Sequence, residues 1–490
     1  MSFLDRVRSA VRAFGQAYAA GRNPAGRPMW RPVSGGPRRT TAIGQQLIVD
    51  RARDAVRNNP YAARIVDLWT ANAIGTGITT RWSDGAHAAA WQRWSRSITV
   101  DAEGTQDWAG VQALAFRAMV ESGEALIRFR RTRPTRDNPV GLKLHVMEAD
   151  LLDTTRVGMN GPNRILQGVE IAPGGEPVAY WIKADYDDWP GTLVANKVER
   201  VPASEIIHLY RRRRPGQVRD VSWLAPVLWM LKDLGQYEAA LLRKAEIEAC
   251  LSVIVSGGDD SQPIAGEDGA HLLRDAAGNP VEDIQPGLIL YRRDAGAVDT
   301  IAPSGGGTHL GFAKRTLEAA AVGTGLTYDQ ASGDLSQANY SSLRAGKIEF
   351  RRLLEQVQYT LVIPRLIQRV SDRFHDQGVL FGLWGDEPGE ISHVPPAPEM
   401  VDPMKDTMAL IAQIRAGFVP PQDGPGMFGY DFADVMAKIA EANAAADDAG
   451  LILDTDPRRV AKTGAAQDAA QNAAVEIGAT GAAGNGSASA

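Results

Sequence analysis

The chain is sparse in side chains that do covalent or metal chemistry. It has seven histidines, His87, His145, His208, His271, His309, His375 and His393, and one cysteine, Cys250. No two histidines have metal-ligand spacing and no Cys-x-x-Cys exists, so no zinc ligand set can be drawn. The G-x-x-x-x-G-K-[ST] phosphate cradle is missing, and Gly75-Thr76-Gly77 and Gly323-Thr324-Gly325 each lack the third glycine of a dinucleotide loop. The glycine-rich stretch Ser304–Thr308 follows no strand closely and precedes no lysine, which makes it a linker. The G-x-S-x-G elbow and H-E-x-x-H are absent too. The common NTPase, hydrolase and zinc-enzyme routes are thereby removed, and no cofactor or metal is expected. A single cysteine excludes a disulfide within the chain and fits synthesis in a reducing compartment.

Two polar stretches remain. Arg211, Arg212, Arg213 and Arg214 are consecutive, and Arg219 follows. Such a run can bind phosphate, but it is more often a solvated loop or a salt-bridge patch between subunits. The second stretch carries Asp329, Gln330, Ser332, Asp334, Ser336, Gln337 and Asn339, with no lysine or arginine from Leu326 to Asn339. On its own it reads as a helix–loop–helix connection that Asn339 caps. The net charge is −5 over 490 residues. A protein that grips duplex DNA through many phosphates carries a basic excess, so any contact with DNA here is local or weak.

The elements that must position these stretches follow from periodicity. At 44% hydrophobic and 23% charged residues, the chain is a folded protein too long for one core. Residues 1–40 hold eight arginines and one acid, Asp5, and read as a basic arm with a short amphipathic helix. Thr41 to Ala73 is helical with a break at Asn59-Pro60. Trp91, Trp94 and Trp108 are core anchors, and a helix runs from Trp108 to Ser122. Strands are expected at Ala125–Arg130, Leu142–Met147, Ile165–Ile171, Val178–Lys183 and Ile206–Leu209, forming a small sheet. A helix from Ser222 to about Ala249 would span roughly 40 Å and needs a partner along its length. Short strands at Leu251–Val255 and Leu288–Arg292 lie within a Gly-, Asp- and Pro-rich excursion. A helix at Thr308–Val322, a polar loop at Gly323–Gln337 and a third helix to about Phe374 follow, the last kinked or broken at Pro364. After Pro395, Pro396 and Pro398 come helices at Pro403–Ala416 and from Phe432 to about Ala446. The Ala-, Gly- and Ser-rich end from Thr463 is expected to be disordered. The fold class is α+β, mainly helical, and no stretch is apolar enough to span a membrane.

This order, and the motifs within it, resemble the lambda family of phage portal proteins. The motifs are Asn58–Ala62 (NNPYA) leading to Gly75–Ile78 (GTGI), Trp91–Trp94 (WQRW) with Asp101, and Glu121–Glu124 (ESGE). Next come Arg213–Ser222 (RRPGQVRDVS), Pro286–Ile289 (PGLI), Gly333–Arg344 (GDLSQANYSSLR) with Glu349, and Val401–Lys405 (VDPMK). Their joint occurrence in order, over roughly Arg51 to Gly450, carries the resemblance. It implies a non-enzymatic subunit of a closed homo-oligomeric ring, twelve copies in the mature particle, at one capsid vertex. It implies double-stranded DNA passing through the channel and the terminase large subunit, head–tail connector, capsid and scaffold proteins as partners, with assembly in the host cytoplasm. The implied division is a basic arm at 1–40, an α+β wing at 41–221, stem helices at 222–250 and 306–324, a clip at 251–305 and a tunnel loop at 325–339. A long wing helix with its following segment takes 340–394, a helical crown 395–450 and a tail 451–490. The loop residues Asp329 to Asn339 would face DNA, and Arg211 to Arg214 with Arg219 would contact DNA or a neighbouring subunit.

One departure from the family pattern is Tyr291–Gly296 (YRRDAG), where an apolar turn is usual, so the edge of the clip is not defined by sequence. The alternative reading is a nucleic-acid-binding accessory protein of the packaging machinery, resting on the arginine run and the arm. An enzyme without a common motif is the third.

Overall fold

The computed structural model describes residues 35–184, 197–256, 288–292, 309–336, 339–396, 402–426, 428, 430, 432–453, 456 and 458. Nearly all of the expected arm, most of the expected clip and tail, and Gln337 lie outside these residues.

The chain starts with α1 (Pro37–Ala42), α2 (Gln45–Asn58) and α3 (Pro60–Ala73). Asn59 makes the break between the last two. Its side chain accepts hydrogen bonds from the amides of Tyr61 and Ala62, and Pro60 starts the next helix with its fixed φ. After β1 (Thr79–Trp82) and α4 (Gly85–Ser95), α5 (Trp108–Ser122) runs as expected and ends at Gly123, whose φ is 94°. That left-handed turn feeds β2 (Glu124–Arg131), the centre of an antiparallel sheet with β3 (Leu142–Glu148) on one side.

A five-stranded antiparallel meander follows: β4 (Gly158–Asn160), β5 (Asn163–Leu166), β6 (Val169–Ile171), β7 (Pro177–Lys183) and β8 (Val198–Pro202). The single strand expected at Ile165–Ile171 is therefore two. Gln167 and Gly168, with φ of 49° and 80°, form the tight turn between them. β9 (Ile206–Tyr210) returns to pair with β2. β2 serves two cores from its opposite faces: Ile127 and Phe129 join the main core, while Leu126 joins a smaller one under the meander.

The helical part consists of α6 (Leu228–Cys250), β10 (Leu251–Ser256) paired in parallel with β11 (Leu288–Arg292), α7 (His309–Thr324), α8 (Tyr328–Ser332) and α9 (Tyr340–Val357). A π-helical segment, Gln358–Ile367, leads into α10 (Gln368–Leu380). Next are β12 (Ile391–Val394), α11 (Pro403–Arg415), a helical turn at Asp423–Gly426 and α12 (Phe432–Asp448).

Three expectations change here. α6 starts at Leu228, not Ser222. Buried Ser222 instead anchors the preceding turn, its hydroxyl reaching the carbonyl of Val120 and accepting from the amide of Leu224. Pro364 does not break the third helix, which continues to Leu380. The wider π winding absorbs a residue that lacks an N–H and would clash in α-helical register. The polar loop contains a helical turn, α8. A pairing with no local signal also appears: β1 and β12 join residues 79–82 to 391–394.

The expected anchors Trp91, Trp94 and Trp108 are buried in the main core beside Phe374. The Trp94 indole donates to the carbonyl of Leu142 at 2.9 Å, so its polar end is satisfied. Among the described residues no helix is long and apolar enough to cross a membrane.

Candidate functional site

The polar segment is built by its own side chains. Thr327 and Gln330 form a reciprocal capping box at the start of α8, and Gly333, with φ of 76°, ends it. The Ser332 hydroxyl donates to the carbonyl of Tyr328 and accepts from the amide of Asp334. Asp334 in turn accepts from the amide of Ser336 at 2.9 Å. These Ser336 hydrogen bonds hold its carboxyl below the usual carboxylate range. Asn339 caps α9, accepting from the amide of Ser342 at 2.8 Å.

Asp329, Gln330 and Ser332 thus sit on a helical turn and are partly covered, while Asp334, Ser336 and Asn339 are exposed on the connection beyond it. The segment has no cation of its own, but two reach it from elsewhere. Arg64 on α3 donates to the carbonyl of Gln330 at 2.6 Å, and the Lys314 ammonium on α7 lies 5.5 Å from the Tyr328 ring centre. Asp334 also accepts from the Tyr328 hydroxyl at 3.2 Å and feels the Lys314 charge, so its carboxylate is exposed but partly offset.

The arginine run divides in two. Gln217 organises the turn from inside: its carbonyl oxygen accepts from the amides of Arg213 and Arg214, and its amide donates to the carbonyl of Arg219 and to Asp220. Arg214 reaches the hydroxyl of Thr40, and Arg38 reaches the carbonyl of Gly216, tying the turn to α1. Arg219 does not belong with a contact surface. It is buried and paired with Glu124, which also accepts from Gln45 at 3.0 Å and contacts His208 Nε2 at 2.8 Å.

Burial alone would raise the Glu124 pKa. The Arg219 charge and the His208 hydrogen bond override it and hold the group at about 2. His208, buried with it, is pushed down by desolvation and stays neutral more readily. Asp220 is the reverse case. Burial pushes it up to about 6 against the pull of Arg213, whose Nε lies 3.8 Å from Oδ2. Nothing in the pattern marked Glu124, Gln45 or His208 as partners. The Glu121–Glu124 and Arg213–Ser222 motifs were the available signal, and both end in this network.

Arg212 and Arg213 are exposed and Arg211 is half-buried. Together with Arg365 they line a cleft of about 690 Å³ between the arginine turn, the end of α7 and the third helix. The sequence showed the run but not the cleft, whose walls come from segments more than a hundred residues apart. Among the described residues no group of three or more His, Cys, Asp or Glu side chains could hold a metal ion.

Comparison with known proteins identifies the family. The profile of "Phage portal protein, lambda family" matches residues 25–358, more than half of the chain. The probable portal protein of Halomonas phage phiHAP-1 is 28% identical over 434 residues, covering 81% of this chain and 80% of the relative. Portal protein B of Escherichia phage lambda is 23% identical over 350 residues, covering 61% of this chain and 62% of the relative. Among solved structures, a chain in the neck of an empty gene transfer agent particle computed with C6 symmetry is similar with a TM-score of 0.45 at 17% identity. The match covers 85% of this chain and 98% of that one. A chain of the native gene transfer agent virion has a TM-score of 0.44 at 16% identity, covering 87% and 99%. This chain belongs to the lambda family of phage portal proteins.

Proposed function

We propose that this chain is one subunit of a ring-shaped channel at a capsid vertex, through which DNA is packaged and later ejected. The observation that carries the reading is the family match, continuous from residue 25 to residue 358. We read residues 41–221 as the wing, 222–250 and 306–324 as stem helices, 251–305 as the clip, 325–339 as the tunnel segment and 395–450 as the crown. Twelve copies, the terminase large subunit, connector, capsid and scaffold proteins belong to the same proposal.

The surface supports an assembly. α6 and α7 pack on each other, with Tyr237 and Phe312 rings 4.7 Å apart. Yet Trp229, Leu242, Leu310 and Val322 on these two helices stay exposed. On α11, Met404, Met408 and Ile411 are exposed at helical spacing. Helices with uncovered apolar stripes draw their stability from a partner. Identical copies joined by unlike surfaces close into a ring when the rotation closes.

The polar segment suits a channel lining. Each Lys or Arg that neutralises a phosphate adds salt-dependent grip, so a conduit gains from a lining that offers none. Asp334, Ser336 and Asn339 meet that requirement, and Asp329, Gln330, Ser332 and Gln337 belong to the same proposed lining. The role is conduction, not catalysis.

Negative-stain imaging and native mass spectrometry of the purified chain test this. Closed rings are expected. A chain that stays monomeric at tens of micromolar and binds duplex DNA tightly, with a salt slope that falls on replacing Arg211 to Arg214 by alanine, would instead establish the accessory DNA-binding reading.

A further inference from the structure

The cleft beside the arginine turn has an unusual charge balance. Four guanidinium groups line it, those of Arg211, Arg212, Arg213 and Arg365, and no carboxylate does. Arg365 is held in place, donating to the carbonyl of Tyr210 at 3.1 Å and lying over the Tyr210 ring. Arg213 has Asp220 at 3.8 Å, a distance too long for a hydrogen bond. The Arg211 guanidinium lies over the Trp223 ring, 5.0 Å from its centre. Burial and the neighbouring Arg213 both disfavour its charge. Arg212 is exposed and makes no hydrogen bond or ion pair among the described residues. Trp223, in the same wall, has a buried indole N–H without an acceptor among the described residues.

We propose that this cleft receives a carboxylate-bearing segment of a second copy of this chain, as one of the contacts that close the ring. The proposal rests on the ring reading above. Guanidinium groups bind carboxylates through paired, charge-assisted hydrogen bonds, and such pairs fix register as well as adding affinity. The occupant is argued from charge. Each copy of this chain carries 58 acidic against 53 basic residues, so a neighbouring copy in a ring brings carboxylates to the cleft's surroundings. In a cyclic assembly a subunit's surface meets a different surface of its neighbour, which lets an arginine-only wall meet an acidic one without self-complementarity. Duplex DNA is the poorer occupant. A phosphate grip here would oppose sliding.

The test uses the full chain. Arg212→Glu touches no internal partner, so fold and melting temperature are expected to be unchanged. The protein concentration needed for ring formation, read by native mass spectrometry, is expected to rise at least about tenfold. Assembly at the unaltered concentration would overturn the proposal while leaving the ring reading intact. Loss of duplex binding with assembly unchanged would reassign the cleft to phosphate and overturn it as well. Rings absent from the unaltered chain would remove the ring reading, and this proposal with it. A second variant, Arg212→Lys, identifies the occupant. Carbodiimide treatment of its rings is expected to couple the introduced amine to an Asp or Glu of another copy, found by peptide mass. Rings that yield no such cross-link would overturn the proposal.

Discussion

Arg219→Met should destabilise the subunit severely without touching any proposed DNA or subunit contact. Among the described residues Arg219 is the fixed cationic partner of Glu124, and both side chains are nearly inaccessible, at 8% and 1% exposure. Removing the guanidinium leaves a buried carboxylate facing His208 and Gln45. Breaking a buried pair from one side costs about 3–5 kcal/mol. The pH linkage gives a similar figure. Glu124 sits at about 2 against an ordinary 4.5. At 1.36 kcal/mol per pH unit, that is worth roughly 3 kcal/mol at neutral pH. The group's folded value is depressed, so its contribution is complete above pH 4.5 and is lost as pH falls toward 2. The assay is urea unfolding followed by tryptophan fluorescence from pH 7 down to pH 4, for the unaltered and variant chains. The variant's deficit should be largest at pH 7 and should start to shrink as pH approaches 4.5, because a protonated Glu124 needs no cation. Glu124→Gln added to Arg219→Met should recover more than half of the loss. A deficit below about 1 kcal/mol at pH 7, or one that does not change with pH, would refute the assignment of Arg219 to the interior.

Asp220→Asn should act in the opposite direction. Burial raises this carboxyl to about 6 from 3.8, so ionising it costs stability increasingly as pH rises through that window. The variant should gain up to about 3 kcal/mol at pH 7 and nothing below pH 3.8, read by the same titration. Gly123→Ala should lower stability by at least about 3 kcal/mol in urea unfolding. Its Cβ would stand 2.3 Å from the backbone of Val221 at a φ of 94°. Asp329→Lys with Asp334→Lys should leave rings intact but make them retain duplex DNA. The retention should weaken with salt at a slope of about 0.9 per phosphate contacted, and rings that do not retain DNA would count against a channel-facing segment.

What the sequence disclosed, and what it hid, follows from the range of the forces involved. Asn59-Pro60, the Trp108–Ser122 helix and the buried tryptophans were legible because capping and helical periodicity act over a few residues. The pairing of β1 with β12 was not, since four-residue strands about three hundred positions apart leave no local mark. The arginine run shows the limit most sharply. As a string, Arg211 to Arg219 offers five equivalent cations. Only the fold separates them, because Gln217 turns the chain so that Arg219 points at Glu124 while Arg211, Arg212 and Arg213 line a cleft. The same motif therefore has an inner part that stabilises the subunit and an outer part, Arg212 above all, that faces the cleft. Their failures should look different. Losing Arg219 should destabilise the subunit, whereas losing Arg212 should leave it folded and raise the concentration at which rings close.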